Sequence, residues 1–197
     1  LTLTLSGTDA DSFDLSTDNV LTFKEAPDFE TKSSYSITLS LTDGTETVTK
    51  DITVTVTNVN DIAPVITSEA TFSAAENQTA IGTVTATDAD STSISFSVSG
   101  SDLEITSAGV LTFASAPDYE TTTSYSATVT ATDGTNSSAQ DITVTVTNID
   151  EVAPVITSSA TFSGAENQTA IGTVTATDVD STSISFSVSG SDLEITS

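Results

Sequence analysis

The sequence predicts an all-β protein built from tandem seven-stranded Greek-key β-sandwich repeats of about 90 residues. The first observation is alternation, because apolar residues take every second position along several runs, with Ser or Thr between them. A period of two places one face of a strand in a core and the other in water. The second observation is repetition, since Glu76 recurs as Glu166 and Pro64 as Pro154, each after 90 residues.

The strands can be placed in order along the middle repeat. They are predicted at Val65 to Phe72, Ile81 to Thr87, Ile94 to Val98, Leu111 to Phe113, Tyr125 to Ala131, and Ile142 to Val146. Asp133-Gly134 and Ser99-Gly100 are turn signals between strands. These six runs come close to the seven short strands of a Greek-key sandwich, which is the architecture that we expect.

Two similar segments separate the repeats, namely Asn58-Val59-Asn60-Asp61-Ile62-Ala63-Pro64 and Asn148-Ile149-Asp150-Glu151-Val152-Ala153-Pro154. Each ends at a proline, which cannot donate to a sheet ladder, so we interpret both as linkers. The predicted domains are a partial repeat over 1–62, a complete repeat over 63–152 and a partial repeat over 153–197. We expect the chain to be a piece of a longer repeat array. The alternative is that separate copies complete each other's partial repeats by exchanging strands.

The composition excludes several classes of function. With 28 acidic and 3 basic residues, and a net charge of -25, the chain is not expected to bind nucleic acid or an anionic membrane. No segment is apolar for long enough to span a bilayer. His and Cys are both absent, which removes zinc sites and Cys-His or Ser-His catalysis. The remaining metal ligands are oxygen atoms, and these suit calcium.

Four short acidic motifs recur at fixed places in the repeat. They are Glu76-Asn77, Asp88-Ala89-Asp90, Asp118-Tyr119-Glu120 and Ala131-Thr132-Asp133-Gly134. Each alone is ordinary turn chemistry. In an antiparallel sandwich, however, Asp88, Asp90 and Asp133 should meet at one end, and Glu76, Asp118 and Glu120 at the other. A hard cation is expected where such groups adjoin a polar linker.

In their order and spacing these motifs resemble the cadherin repeat, and the resemblance covers the whole chain. It implies extracellular, immunoglobulin-like sandwich domains joined end to end through calcium ions, commonly three per junction. The linkers depart from the family's Asp-x-Asn-Asp-Asn-x-Pro pattern. Asn58 and Asn148 replace its first Asp, Ile62 and Val152 replace its last Asn, and Asp150-Glu151 replaces Asn-Asp.

The resemblance also implies which residues hold calcium. The first junction would use Asp28, Glu30, Asn58, Asn60 through its main-chain carbonyl, Asp61, Asp88, Asp90 and Asp133. The second would use Glu76, Asp118, Glu120, Asn148, Asp150, Glu151, Asp178 and Asp180. The other acids, among them Asp9, Asp11, Asp14, Asp102 and Glu104, are predicted to form a solvated surface. Glycosylation sequons begin at Asn77, Asn136 and Asn167, and we interpret them as chance matches.

The expected function is that of a calcium-rigidified stalk in an extracellular or cell-surface adhesin. Segments 68–107 and 158–197 differ at only three of 40 positions, which favours a microbial source. The expected partners are calcium, neighbouring repeats and the same protein on another copy or cell, or surface glycans. One alternative is a carbohydrate-binding or homotypic fibre-forming module, and another is an acidic array that needs salt but no specific ion. We do not expect an enzyme, because carboxylates that could hydrolyse a glycoside are better explained as ligands.

Overall fold

The structure is a computed structural model that describes residues 1–91, 93–181 and 183–196. It forms two compact units. Unit 1 contains Leu1–Ile66, Ala86–Ser95 and Ala131–Ser138, and unit 2 contains Thr67–Thr85, Phe96–Thr130 and Ala139–Ser197. The strand-exchange alternative involves Thr182 and Ser197, which lie outside the described residues. Nowhere in the described part of the chain is a helix long and apolar enough to cross a membrane.

Apart from one short 3-10 helix, every regular element among the described residues is a β-strand, as the sequence predicts. The first part contains β1 (Thr2–Ser6), a 3-10 helix (Ala10–Ser12), β2 (Phe13–Leu15), β3 (Leu21–Phe23), β4 (Ser34–Thr42) and β5 (Thr47–Thr55). Then follow β6 (Val65–Ile66), β7 (Thr71–Ala75), β8 (Ala80–Thr83), β9 (Ala86–Thr87), β10 (Ser95–Val98), β11 (Leu103–Ile105), β12 (Val110–Phe113), β13 (Ser124–Thr132) and β14 (Ser137–Thr147). The last two strands are β15 (Val155–Ile156) and β16 (Ala176–Thr177).

Unit 1 is built on an antiparallel sheet in the order β1-β4-β5, with a separate hairpin of β2 and β3. Its core is aromatic. The ring of Phe13 lies 4.5 Å from that of Phe23 and 5.7 Å from that of Tyr35, the latter in an edge-on arrangement. Ile37 on β4 is fully buried. The short pair of β6 and β9 completes the unit and leads into the loop that carries Asp88 and Asp90.

The sequence interpretation of Asp9 as a solvated surface acid is wrong. The side chain of Asp9 is only 12% exposed, and it forms an ion pair with Lys32. Oδ2 of Asp9 also accepts the backbone N–H of Ser36 at 2.8 Å, while the Lys32 ammonium lies 4.8 Å from the centre of the Tyr35 ring. The short 3-10 helix, Ala10–Ser12, follows Asp9 directly.

Unit 2 contains two sheets whose inner faces pack together. One has the order β10-β13-β14-β7 and the other the order β11-β12-β8. The pairing of β7 with β14 is parallel, with Thr71 opposite Thr143 and Ala75 opposite Thr147. Phe113 on β12 and Tyr125 on β13 bring the sheets together, with ring centres 5.2 Å apart. If the bent strands β6/β7 and β8/β9 are each counted once, the middle repeat has the seven strands predicted.

Alternation predicts the core of unit 2 correctly. Ile142, Val144 and Val146 are buried on β14, whereas the threonines between them are exposed. Leu111 and Phe113 are buried on β12, and Val129 is buried on β13. The buried residues of these strands thus lie at every second position.

The last part of the chain contains fewer strands than predicted. Among the described residues after 156, only β16 is a strand, and Phe162 and Ile171 are 45% and 48% exposed. In the middle repeat, β7 pairs with β14 and β8 pairs with β12. Residues 161–165 and 170–173 match β7 and β8, but the sequence given contains no counterparts of β12 and β14 after them. Without those ladder partners the alternating pattern alone does not form strands.

Candidate metal centres

Two loops of unit 1 bring three carboxylates into one cluster. Asp88 and Asp90 follow β9, and Asp133 follows β13. One carboxylate oxygen from each lies within 4.8 Å of the others. Among the described residues the one ion pair found is that of Lys32 with Asp9, so no basic side chain neutralises this cluster. The three residues that the sequence predicted to meet are therefore together.

Asx turns hold these carboxylates in place. Oδ1 of Asp88 accepts the backbone N–H groups of Asp90 and Ser91, both at 3.0 Å. Oδ1 of Asp133 accepts those of Thr135 and Asn136 at 2.6 and 2.7 Å. The turn chemistry visible in the sequence is thus real, but it uses Oδ1 of Asp88 and Oδ1 of Asp133. Oδ2 of Asp88 remains for another partner, whereas Oδ2 of Asp133 lies 3.5 Å from the amide nitrogen of Asn136.

Two oxygen atoms of the cluster are buried without a hydrogen-bond donor among the described residues. They are Oδ2 of Asp88 and Oδ1 of Asp90. Buried polar atoms are normally paired, because leaving one unpaired costs about 1–3 kcal/mol and more when the group is charged. A cation at this place would satisfy both oxygens. These residues therefore fit a metal ion.

The first linker is hydrogen-bonded to the same cluster. Oδ2 of Asp90 accepts the backbone N–H groups of Asp61 at 2.8 Å and Ile62 at 3.0 Å. The side-chain amide of Asn58 donates to the main-chain carbonyl of Asp90 at 3.0 Å. The linker therefore lies against the loop that carries two of the three clustered carboxylates.

Asn136 is a residue of this site that sequence reasoning missed. Its Nδ2 atom lies 3.3 Å from the carbonyl oxygen and 3.1 Å from the Oδ1 atom of Asn60, and 3.4 Å from the carbonyl oxygen of Ile62. The one signal in the sequence that could have identified Asn136 is its position three residues after Asp133, on the same turn. The equivalent residue of the first repeat is Glu46, so repetition alone did not single out an asparagine.

Asp28 and Glu30 lie outside the tight cluster of unit 1. Oδ1 of Asp28 accepts the backbone N–H of Glu30 at 3.0 Å, and Oδ2 accepts the hydroxyl of Thr31 at 2.7 Å. Asp28, Glu30 and Asp61 line one open cleft. Burial, followed by the negative charge of Asp90, raises the pKa of Glu30. Glu30 is therefore close enough to the cluster to sense its charge.

Unit 2 contains a second cluster, formed by Glu76, Asp118 and Glu120, with carboxylate oxygens again within 4.8 Å. Glu76 follows β7 and is only 1% exposed. Its Oε2 atom accepts the backbone N–H of Tyr119 at 2.8 Å, and Oε1 accepts that of Ile149 at 2.7 Å. Glu76 thus connects the loop of Asp118 and Glu120 with the second linker.

Asp180 occupies in unit 2 the position that Asp90 has in unit 1. Its Oδ2 atom accepts the backbone N–H groups of Glu151 and Val152, both at 2.7 Å, and its carbonyl accepts the Asn148 amide at 2.8 Å. Oδ1 of Asp180 is buried without a donor among the described residues. Oδ1 of Asp178 accepts the N–H of Asp180 at 3.2 Å. The linker contact is therefore repeated after 90 residues.

Asn77 and Asp150 have different surroundings in this site. The backbone of Asn77 is left-handed, with φ of 62°, a conformation that asparagine tolerates well. Its amide donates to Oε2 of Glu151. Asp150 is exposed, and no hydrogen bond of its side chain is found within the described parts of the chain.

The pKa values divide the carboxylates into two groups. Burial raises the pKa of Glu120, and the charges of Glu76, Asp118 and Asp180 raise it further. Burial also raises the pKa of Asp90, but the N–H groups of Ile62 and Asp61 outweigh it, so the pKa lies below its ordinary value.

Asp133 and Asp180 fall in the lowered group. The backbone N–H of Asn136 lowers the pKa of Asp133, and that of Glu151 lowers the pKa of Asp180. Each site therefore contains a carboxylate whose pKa is raised by burial and nearby negative charge, and a carboxylate that backbone N–H groups hold as an anion.

The fold and the acidic clusters beside each linker define a class, namely β-sandwich repeat proteins with oxygen-rich sites next to their linkers. Residues 70–148 match the sequence model of the Cadherin domain. The middle part of the chain is therefore similar to a cadherin domain. No curated protein sequence matches the chain.

Several solved cadherin structures resemble the chain. Protocadherin gammaB7 domains EC3-6, in a cis-dimer structure, match with a TM-score of 0.77 and 26% identity over 91% of this chain and 52% of theirs. Protocadherin Gamma B2 extracellular domains 3-6 match with a TM-score of 0.74 and 24% identity, over 91% of this chain and 51% of theirs. Mouse Protocadherin-24 EC1-3 matches with a TM-score of 0.66 and 22% identity, over 91% of this chain and 67% of that chain. The chain thus spans about half the length of the first two.

Proposed function

We propose that this chain is part of a calcium-rigidified extracellular stalk, with calcium bound beside the two linkers. The observation that carries the proposal is the pair of buried oxygens without donors, Oδ2 of Asp88 and Oδ1 of Asp90, in a cluster with Asp133. A hard divalent cation is the partner that fits, because the ligands on offer are all oxygen atoms.

The proposed ligands are those of the two linkers and the loops around them. The first site comprises Asp28, Glu30, Asn58, Asn60, Asp61, Asp88, Asp90 and Asp133. The second comprises Glu76, Asp118, Glu120, Asn148, Asp150, Glu151, Asp178 and Asp180. Support comes from the contacts of Asp61 with Asp90 and of Glu151 with Asp180, which hold the linker beside carboxylates in both units.

The proposed mechanism is electrostatic. The first set contains six carboxylates and the second seven, and all three lysines of the chain precede residue 51. Without a counterion these groups repel one another, which loosens the chain where it enters each linker. Bound calcium supplies positive charge and oxygen coordination at the linker, so that segments on both sides of it are held to one centre.

The proposed location is outside the cell, on a surface or secreted adhesin of microbial origin. Calcium sites of extracellular modules bind with Kd on the order of 10⁻⁴–10⁻³ M. Sites in which asparagine replaces a carboxylate carry less charge and suit that range. Adhesion, through the same protein on another copy or through another surface ligand, is proposed for the whole protein on the basis of its similarity to cadherins.

Thermal unfolding in calcium and in chelator tests the proposal. Binding to the folded state alone stabilises it by about 2.7 kcal/mol per site at a hundredfold excess of calcium over Kd. The melting temperature of the chain should therefore rise clearly in calcium, and much less in sodium chloride of equal ionic strength. Equal melting temperatures in calcium and in chelator would reject calcium binding.

A further inference from the structure

Asn58 and Asn148 form the same hydrogen bond in the two units. The Asn58 amide donates to the carbonyl of Asp90 at 3.0 Å, and the Asn148 amide donates to the carbonyl of Asp180 at 2.8 Å. Each of these aspartates also accepts two linker N–H groups through Oδ2. The linker is thus held by three hydrogen bonds that involve no ion.

An amide fits this position because it can donate a hydrogen bond to the carbonyl. An aspartate has only acceptor oxygens when it is ionised, so it cannot donate to a carbonyl. The carboxylate of an aspartate at position 58 would face the main-chain carbonyl oxygen of Asp90. Asp90 also carries a negative charge on its own side chain. Only a cation between them would make that arrangement favourable.

We infer that Asn58 and Asn148 act as a cation-independent clasp, which keeps each linker attached to the aspartate loop that follows it in sequence. If calcium binds as proposed, its loss loosens the chain only where it enters each linker, at the end of β5 and the end of β14. The clasp itself does not require that the sites bind calcium, because every contact in it is a hydrogen bond between two groups of the protein.

Exchange of backbone amide protons, followed residue by residue by NMR in chelator, tests the clasp. The N–H groups of Asp61, Ile62, Glu151 and Val152 should exchange slowly in the parent chain. Replacing Asn58→Ala and Asn148→Ala removes one hydrogen bond from each clasp, so exchange at these four amides should become about fivefold faster. Exchange equally fast in the parent and the variant would overturn the clasp.

A second variant tests whether the amide donors of Asn58 and Asn148 are needed, by replacing each with a charged side chain that cannot donate. Asn58→Asp with Asn148→Asp should also speed exchange in chelator, since an aspartate cannot donate. The control Thr47→Ala with Thr143→Ala changes exposed strand residues outside the linkers and should leave the four amides unchanged. If the aspartate variant kept the parent's slow exchange in chelator, the amide would not be the donor that matters, and the inference would be wrong.

Discussion

The backbone N–H of Asp61 donates to Oδ2 of Asp90 at 2.8 Å, while Oδ1 of the same carboxylate is buried without a donor. One oxygen of Asp90 therefore fixes the linker, and the other is free for a ligand. Asp180 repeats the arrangement with Glu151 in unit 2. The predictions below follow from this division of roles.

Replacing Asp88→Asn and Asp90→Asn should abolish calcium binding at the first site and leave the fold intact. The change preserves size and turn propensity, but it removes two charges and the two oxygens without donors. Calcium should then raise the melting temperature less than in the parent chain. Small-angle scattering in calcium should also show a more bent ensemble.

The matched control replaces Asp14→Asn and Asp18→Asn, two exposed acids outside both clusters. It makes the same change in net charge, so it corrects for general repulsion. If both double variants responded to calcium as the parent does, Asp88 and Asp90 would not be ligands.

Replacing Glu76→Gln should destabilise the chain even in chelator. Both oxygens of Glu76 accept backbone N–H groups, and a glutamine offers only one acceptor in their place. The free energy of unfolding should fall by about 1–3 kcal/mol, the penalty of an unpaired buried group. Urea unfolding measures it. Glu166→Gln, the exposed equivalent one repeat later, should have almost no effect, and equal losses from the two variants would contradict the role of Glu76.

Asn136 should stabilise the first linker by its amide. Asn136→Ala removes a donor from the oxygens of Asn60 and Ile62, and should lower the free energy of unfolding by about 1 kcal/mol. Asn136→Glu, which introduces the residue found at the equivalent position 46, adds a carboxylate beside the cluster. Its calcium affinity, measured by calorimetric titration, should be higher than that of Asn136→Ala. The opposite order of affinities would argue against a site at this place.

In chelator, stability should reach a maximum in mildly acidic solution. Burial raises the pKa of Glu30 and Glu120 above 4.5, so the folded chain binds these protons more tightly than the unfolded chain. Stability therefore rises as the pH falls from neutrality towards 4.5. The pKa values of Asp133 and Asp180 lie below 3.8, because backbone N–H groups of Asn136 and Glu151 favour the anions. Their stabilising contribution is lost as the pH falls through these lowered values.

Urea unfolding across this pH range checks the shape of the curve. The variant Glu30→Gln with Glu120→Gln should show a smaller rise on acidification, since it lacks the two groups with raised pKa. A parent chain whose stability fell steadily from neutral pH downwards would contradict the assignment.

Much of the fold follows from period-two alternation, which correctly predicted the buried residues of β12 and β14. It did not identify β11 (Leu103–Ile105), because Glu104 at its centre was interpreted as part of a solvated acidic surface. Nor could it give the parallel pairing of β7 with β14, since a period shows which face is buried and not which strand lies beside it. The Asp9–Lys32 pair depends on a contact between residues 23 positions apart, which no local pattern contains.

For the sites, motif spacing correctly grouped Asp88 with Asp90 and Asp133, and Glu76 with Asp118 and Glu120. The repetition of each motif made this possible. Motif spacing could not show which atoms already have hydrogen-bond partners. The linker N–H groups on Asp90, the amide of Asn58 and the contacts of Asn136 are backbone or single-residue details that appear only in three dimensions.

The most direct test of calcium binding is a crystal structure of the chain grown in calcium, with anomalous scattering recorded for the ion. We expect anomalous peaks within about 2.3–2.6 Å of carboxylate oxygens of Asp88, Asp90 and Asp133, and of Glu76, Asp118 and Glu120. Oδ2 of Asp88 and Oδ1 of Asp90 should both contact an ion. Clusters that contained only water in saturating calcium, with no anomalous peak at either, would contradict the account.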